Sequence, residues 1–222
     1  VSYGYDQSGR VVNTWTDGVE TAGDQRRDYH YGTAVLSFDA LGRNARTRTT
    51  TLQDGLRTDR FSTIDISYDA LGRVVKSRDL VHQWGVGLDA YTTEETTNDL
   101  FDTWGRAVDS LSIVTNGALK TVSHSHGLAF DANGRLTRQT IDLHESSTLP
   151  GIELTADRTI TQTDMKYDAI GNLVDYAKVL KEGDLETTSR PALLEYDKNG
   201  RSVVSLERVT DNFDRDEIVG NV

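Results

Sequence analysis

The sequence predicts an all-β chain: a repetitive antiparallel meander of β-hairpins, in a sheet wide enough that it must curl or spiral to cover its apolar face. Three observations lead there. One six-residue motif, aromatic-Asp-x-x-Gly-Arg, occurs in seven copies from one end of the chain to the other. A second set of glycine turns alternates with those copies. Between the turns, apolar residues alternate with polar ones and threonine is abundant, the period-two pattern of strands and the β-branched composition of a wet sheet face.

The motif opens on Tyr5, Phe38, Tyr68, Phe101, Phe130, Tyr167 and Tyr196. Each aromatic is followed by an aspartate: Asp6, Asp39, Asp69, Asp102, Asp131, Asp168 and Asp197. The glycines are Gly9, Gly42, Gly72, Gly105, Gly134, Gly171 and Gly200. Arg10, Arg43, Arg73, Arg106, Arg135 and Arg201 close the copies, with Asn172 standing in the sixth. Successive aspartates are 33, 30, 33, 29, 37 and 29 residues apart, a spacing that marks a repeat architecture.

The motif has a local physical reading. Asp suits the first position of a type I turn, where its carboxylate accepts backbone N–H bonds, and Gly suits the position that needs positive φ. With Ala70-Leu71-Gly72 as a three-residue loop, Asp69 faces Arg73 and Tyr68 faces Val74 across a hairpin. Residues leading into the turns alternate accordingly: Ile64, Ile66 and Tyr68; Ala34, Leu36 and Phe38; Leu128 and Phe130; Met165 and Tyr167; Leu194 and Tyr196. Their expected apolar partners after the turn are Val11, Val74, Ala107, Leu136 and Leu173, while Asn44 and Ser202 break the rule.

The second turn set comprises Asp17-Gly18, Asp54-Gly55, Trp84-Gly85, Asn116-Gly117, Pro150-Gly151 and Glu182-Gly183-Asp184. Asp-Gly and Asn-Gly are the strongest short hairpin signals; Trp84-Gly85 is a poor one, and Pro150-Gly151 reads as a longer loop. Strands are expected over 43–52, 56–67, 73–82, 118–129 and 172–181, within a total of about fourteen strands of roughly ten residues. The longer gaps place insertions at 19–33, 84–98 and 144–157, read as surface loops carrying Arg26, Arg27 and His30, then Trp84 and Tyr91, then His144 and Glu145. Trp84 and Tyr91 form the candidate binding loop, because exposed aromatics stack on sugars.

The motif resembles the YD repeat of the Rhs family, which also occurs in bacterial toxin complexes and in teneurins. The resemblance covers the whole chain and implies one array over 1–222 of about seven repeats, belonging to a β-sheet that spirals into a hollow shell around a toxin or beside a cell-adhesion module. Two features depart from the family pattern. The period exceeds the roughly 20 residues of the family's repeat, although it remains within the range of stacked units. The proline-containing self-cleavage segment is missing, since the prolines are Pro150 and Pro191 and neither follows an aspartate.

Composition narrows the function. A net charge of −11 and a pI near 4.8 disfavour a nucleic-acid partner or an anionic membrane. No apolar run is long enough for membrane insertion, and without cysteine no disulfide or thiolate metal site can form. A mean hydropathy of −0.52 suits a sheet with one dry face and one wet one. With a strand already under way at Ser2, the chain is expected to be a cut through a longer array.

Three constellations bear on chemistry. Asp131-Ala132-Asn133-Gly134 and Asp197-Lys198-Asn199-Gly200 resemble the opening of a calcium loop but lack its closing Glu, and turn capping accounts for them. His124-Ser125-His126 puts two imidazoles on one strand face, a metal-compatible spacing without a third Cys or His nearby; packed or edge histidines are the plainer reading. Glu94 or Glu95 with Asp89 or Asp99 could supply a glycosidase pair only at a separation that sequence does not show. The reading is therefore non-enzymatic, with no catalytic residue, cofactor or metal. It is a shell or stalk segment of an exported or cell-surface bacterial protein, partnered by the rest of its parent polypeptide and an encapsulated toxin. The alternative is an adhesion module that binds a cell-surface glycan or protein.

Overall fold

A computed structural model describes residues 1–22, 25–198 and 200–221. The side chains of Arg26 and Arg27, and Asn199, lie outside the described residues. The first strands are β1 (Ser2–Tyr5), β2 (Val11–Ala22), β3 (Gln25–Phe38), β4 (Asn44–Gln53), β5 (Leu56–Ser62), β6 (Ser67–Tyr68), β7 (Val74–Gly85) and β8 (Leu88–Phe101). They are followed by β9 (Ala107–Asn116), β10 (Leu119–Phe130), β11 (Leu136–Ser147) and β12 (Thr155–Tyr167). The last four are β13 (Leu173–Glu182), β14 (Leu185–Tyr196), β15 (Ser202–Asp211) and β16 (Asp216–Asn221). Sheet order follows chain order from β1 to β16, with β6 off the path as a short partner of β7. Among the described residues there is no helix, so none long and apolar enough to cross a membrane.

The chain divides into two compact units. One holds Val1–Asn98, Ser112–Lys120 and Thr148–Pro150; the other holds Asp99–Leu111, Thr121–Ser147 and Gly151–Val222.

The motif registers follow the hairpin reading. Tyr5 pairs Val11, Phe38 pairs Asn44, Tyr68 pairs Val74, Tyr167 pairs Leu173 and Tyr196 pairs Ser202. Ahead of the aromatic the ladder slips. One extra residue, Leu36, separates the pairs Val35–Thr47 and Ser37–Arg46, and Asp164 takes φ +55 between Thr163 and Lys166. These are β-bulges, which bend the strand and reassign its faces. Leu36, expected inside, is consequently 54% exposed, whereas Ile64, Ile66 and Met165 keep to the covered side. The strand expected over 56–67 is also broken, and residues 63–66 cross between ladders through Thr63 N–H to Arg78 O (2.7 Å) and Ile66 N–H to Ala45 O (2.8 Å).

Several glycines serve differently from the expectation. Asp17-Gly18 is no turn: both residues lie within the β2/β3 ladder, Gly18 opposite Tyr29. A Cβ at Gly18 would stand 2.2 Å from the Tyr29 ring, and one at Gly32 2.2 Å from the ring of its partner Trp15. Glycine is used here because an aromatic from the next strand lies across it, the close approach that glycine inside a strand signals. The turn placed at Trp84-Gly85 falls at Val86-Gly87, with Gly87 at φ +75 and Gly85 paired to Leu88. Asp54 and Gly55, at φ +51 and +77, do make the two-residue turn that their sequence indicates.

The insertions mostly lengthen hairpins instead of forming loops. β2 and β3 run through most of 19–33, and β7 and β8 pair through 84–98 apart from their two-residue turn. Only 148–154 remains irregular in the third, closed by Ser147 N–H to Leu154 O at 3.0 Å. Extra residues with strand propensity gain more from ladder hydrogen bonds than from solvated loops.

Few side chains are fully covered. Among the described residues the buried apolar ones are Ala45, Val81, Met165, Tyr176, Ala177 and Val209, so the expectation of a broadly dry face is corrected. The least exposed side chain named is a charged one: Asp59, at 2%. Arg48 Nη2 (2.7 Å), Thr50 Oγ1 (2.5 Å) and Arg57 Nη2 (3.3 Å) donate to it. Burial pushes this carboxyl up, but those three donors outweigh it and hold it below its usual value. Cross-strand pairs such as Thr14–Thr33, Thr33–Thr49 and Thr51–Thr58 supply further packing along the ladder.

Candidate functional site

The seven motif turns share one geometry, described by the Asp69 copy. Asp69 N–H donates to Arg73 O (3.0 Å), Gly72 N–H donates to Asp69 O (3.1 Å), and Gly72 sits at φ +82. Asp69 Oδ1 accepts the N–H groups of Leu71 and Arg73, each at 2.9 Å, while Oδ2 accepts Arg73 Nε–H at 2.6 Å. One carboxylate thus ties up two backbone donors and a guanidinium. The Arg73 N–H, working against partial desolvation, together with the Arg73 guanidinium holds this carboxyl below the ordinary value of 3.8. Asp6, Asp39, Asp102, Asp131 and Asp197 bind their own arginines through Nε at 2.7 to 2.8 Å. Asp168 receives Asn172 Nδ2 at 2.9 Å. The oxygens of Asp131, in one of the two calcium-loop-like segments, face Asn133 N–H, Arg135 N–H and the Arg135 guanidinium, which is the capping arrangement.

Four of the motif arginines also reach the next motif. The guanidinium of Arg10 lies 3.9 Å from the Phe38 ring centroid, Arg43 4.4 Å from Tyr68, Arg106 3.8 Å from Phe130 and Arg135 4.8 Å from Tyr167. These are cation–π distances. Arg135 Nη1 further donates to Asp168 O at 3.2 Å. Where the aromatic is tyrosine, its hydroxyl donates back to the residue after the previous motif: Tyr68 to Asn44 O (2.7 Å), Tyr167 to Leu136 O (2.7 Å) and Tyr196 to Leu173 O (2.6 Å). Burial is the foremost cause raising the Tyr68 phenol above its usual pKa. Gly134 leaves room for the preceding arginine, since a Cβ there would stand 3.0 Å from Arg106 Nη1.

Comparison with family models, with known proteins and with solved structures gives no match.

The sequence reading placed Asp and Arg together but missed the arginine's reach to the following hairpin. The signal was present, because a local turn needs only Asp and Gly, and the recurrent arginine has no purely local requirement. It also missed a related turn over Asp211-Asn212-Phe213-Asp214-Arg215. There Asp211 Oδ1 accepts Phe213 N–H (2.8 Å) and Arg215 N–H (3.0 Å), and Asp214 takes φ +67 in place of glycine.

Trp84 and Tyr91 belong to β7 and β8, not to a loop, and both stack on His82. The His82 ring is 4.0 Å from Tyr91, nearly parallel, and 4.2 Å from Trp84. His82 Nε2 contacts Asp89 Oδ1 at 2.7 Å, and Arg57 lies 4.8 Å from the Trp84 ring. Of the carboxylates considered for a glycosidase pair, Glu94 and Glu95 are engaged in ion pairs. Glu94 accepts Arg60 Nη1 at 2.6 Å, and Glu95 pairs with Lys76 at 2.7 Å and with Arg78, which hold it below its usual pKa. A general acid needs its carboxyl raised.

His124 and His126 share a face of β10, ring centroids 4.8 Å apart. The structure brings to them carboxylates that sequence separation concealed: Asp109 Oδ1 lies 2.8 Å from His124 Nε2, and Asp142 Oδ2 3.0 Å from His126 Nε2. His30, His82 and His144 are likewise each paired with one aspartate, Asp17, Asp89 and Asp157.

Proposed function

We propose that this chain is a non-enzymatic structural segment, a length of hairpin array acting as shell or stalk in a larger exported or cell-surface bacterial protein. Its main partner is the rest of its parent polypeptide, and a toxin is the cargo such a shell encloses. The observation that supports this reading is that the recurring polar residues are spent on one another and on the next repeat. Arg43 and Arg135 each close their own turn and cover the aromatic of the following one. Nearest-neighbour coupling of this kind makes stability grow with the number of units. Denaturant unfolding of the full chain and of a version ending after β14 tests it. The shorter chain should keep its β spectrum and unfold at lower urea with a smaller m-value. Complete loss of structure on removing the last hairpin would contradict a modular array.

A second reading, adhesion to a glycan, is favoured by the convergence of Trp84 and Tyr91 on His82, with Tyr91 54% exposed. A glycan array separates the two. Binding that disappears in Trp84→Ala supports adhesion, and a blank array supports the structural role.

A further inference from the structure

We propose that His124, His126 and Asp142 form a binding site for a divalent transition cation, with zinc the best fit. Residues i and i+2 of a strand point to the same side, so β10 presents both imidazoles together, and β11 adds the carboxylate. The three donor atoms lie within 4.8 Å of one another, the only such His/Cys/Asp/Glu group found among the described residues. A tetrahedral zinc ion with ligands at about 2.1 Å sets its donors about 3.4 Å apart. His126 Nε2 and Asp142 Oδ2, at 3.0 Å, are already inside that distance, and the widest separation, within 4.8 Å, has to close by about 1.4 Å on binding.

The donor chemistry agrees. Two imidazoles and one carboxylate are borderline ligands that suit zinc, copper, nickel or cobalt better than the all-oxygen shell calcium and magnesium prefer. Orienting contacts are in place as well. Asp109 holds His124 through Nε2, and Thr159 Oγ1 donates to Asp142 Oδ1 at 2.7 Å, fixing that carboxylate with Oδ2 turned to His126. Partners of this type tune ligand basicity and direction in metal sites. The neighbouring cations do not oppose a metal. Arg158 is committed to Glu145 (3.2 Å) and Glu182 (3.0 Å), and Lys181 to Glu186 (2.9 Å). His124, Asp142 and Thr159 also line an open depression of about 410 Å³, which leaves space for water to complete the coordination. His144 borders the same depression and pairs with Asp157 at 2.7 Å but is outside the three-donor group, so it serves as an internal control.

The site stands independently of the array reading, and it would join two adjacent strands. The test uses the untagged full chain, titrated with zinc chloride by calorimetry in a non-chelating buffer and with cobalt(II) by visible absorption. The expected result is one saturable zinc per chain, cobalt bands of a nitrogen- and oxygen-ligated site, and a higher Tm with zinc present. His126→Ala and Asp142→Asn should each weaken zinc at least tenfold and abolish the Tm rise, His144→Ala should leave both unchanged, and Asp109→Asn should weaken zinc severalfold. Melting without metal shows whether a variant is folded, and His126→Gln repeats the test should His126→Ala melt early. Absence of saturable binding, or equal loss in His144→Ala and His126→Ala, would overturn the proposal.

Discussion

Two junctions between successive repeats differ in the side chain that closes the turn, arginine in one and asparagine in the other. At the first, Arg43 closes its own turn on Asp39 and sets its guanidinium 4.4 Å from the Tyr68 ring, whose hydroxyl donates to Asn44 O. At the second, Asn172 closes the turn on Asp168 through Nδ2 but has no cation to extend, and Tyr196 keeps its hydroxyl bond to Leu173 O. The Asn172 amide ends beside the next turn, its Oδ1 3.0 Å from where a Cβ on Gly200 would stand. The comparison separates two tasks. Capping a turn needs a short donor held by the aspartate, and asparagine suffices; covering the next aromatic needs a long planar cation, which only arginine supplies.

The largest expected difference lies in the aromatic. Tyr68→Ala removes a half-covered ring, a cation–π contact and a hydrogen bond, costing about 3 kcal/mol, at the low end for aromatic truncation because the ring is only partly buried. Tyr196→Ala should cost about 1 kcal/mol less, and Tyr68→Phe only about 1 kcal/mol, one hydrogen bond. Urea denaturation measures all three, and equal losses for the two alanine variants would erase the distinction between the junctions.

Next come the glycines that both junctions retain. Gly72→Val and Gly171→Val, at φ +82 and +98, should each cost roughly 2 kcal/mol in backbone strain. Gly85→Val should cost less, because Gly85 is a strand residue of β7 without positive φ, and the 3.2 Å approach of its Cβ to Gly55 O is a smaller penalty than the turn strain. A thermal melt in which Gly85→Val falls furthest would contradict the turn assignment.

Exchanging the side chains themselves has a smaller effect. Arg43→Asn should cost about 1 kcal/mol, and Asn172→Arg should gain about 0.5 kcal/mol, by losing or adding the cation above the ring. A destabilised Asn172→Arg would show that the second junction has no room for the clamp.

Acid should affect both junctions alike. The turn carboxylates Asp39 and Asp168 have folded pKa values below the ordinary 3.8. Their stabilisation is therefore complete above that value and is lost as pH falls below it through the folded pKa. The foremost cause at Asp39 is the backbone N–H of residue 43, which survives Arg43→Asn. The urea midpoint should thus be lower at about pH 3 than at about pH 6 in both the parent chain and Arg43→Asn; a variant insensitive to acid would assign the effect to the guanidinium instead.

Much of this was legible in the sequence where the cause is local. Asp69 and Gly72 announce their turn because each residue type has its own reason to be there, and the Tyr68–Val74 register follows from the loop length. Leu36 was misplaced because a bulge shifts the face by one residue, and Gly18 because the aromatic that covers it lies on a neighbouring strand. The same holds for Arg43 and Tyr68, and for His126 and Asp142. Their contacts join strands through pairings that spacing along the chain does not reveal, although the unexplained recurrence of the motif arginine was a usable sign.

The central claim is that the motif arginine couples one repeat to the next. A double-mutant cycle on Arg43→Asn and Tyr68→Ala in urea denaturation measures that coupling, since both substitutions leave the turn's carboxylate and backbone bonds in place. The account predicts a coupling energy of about 0.5 to 1 kcal/mol, the size of a partly exposed cation–π contact. Strictly additive losses would contradict it and reduce the arginine to a turn cap.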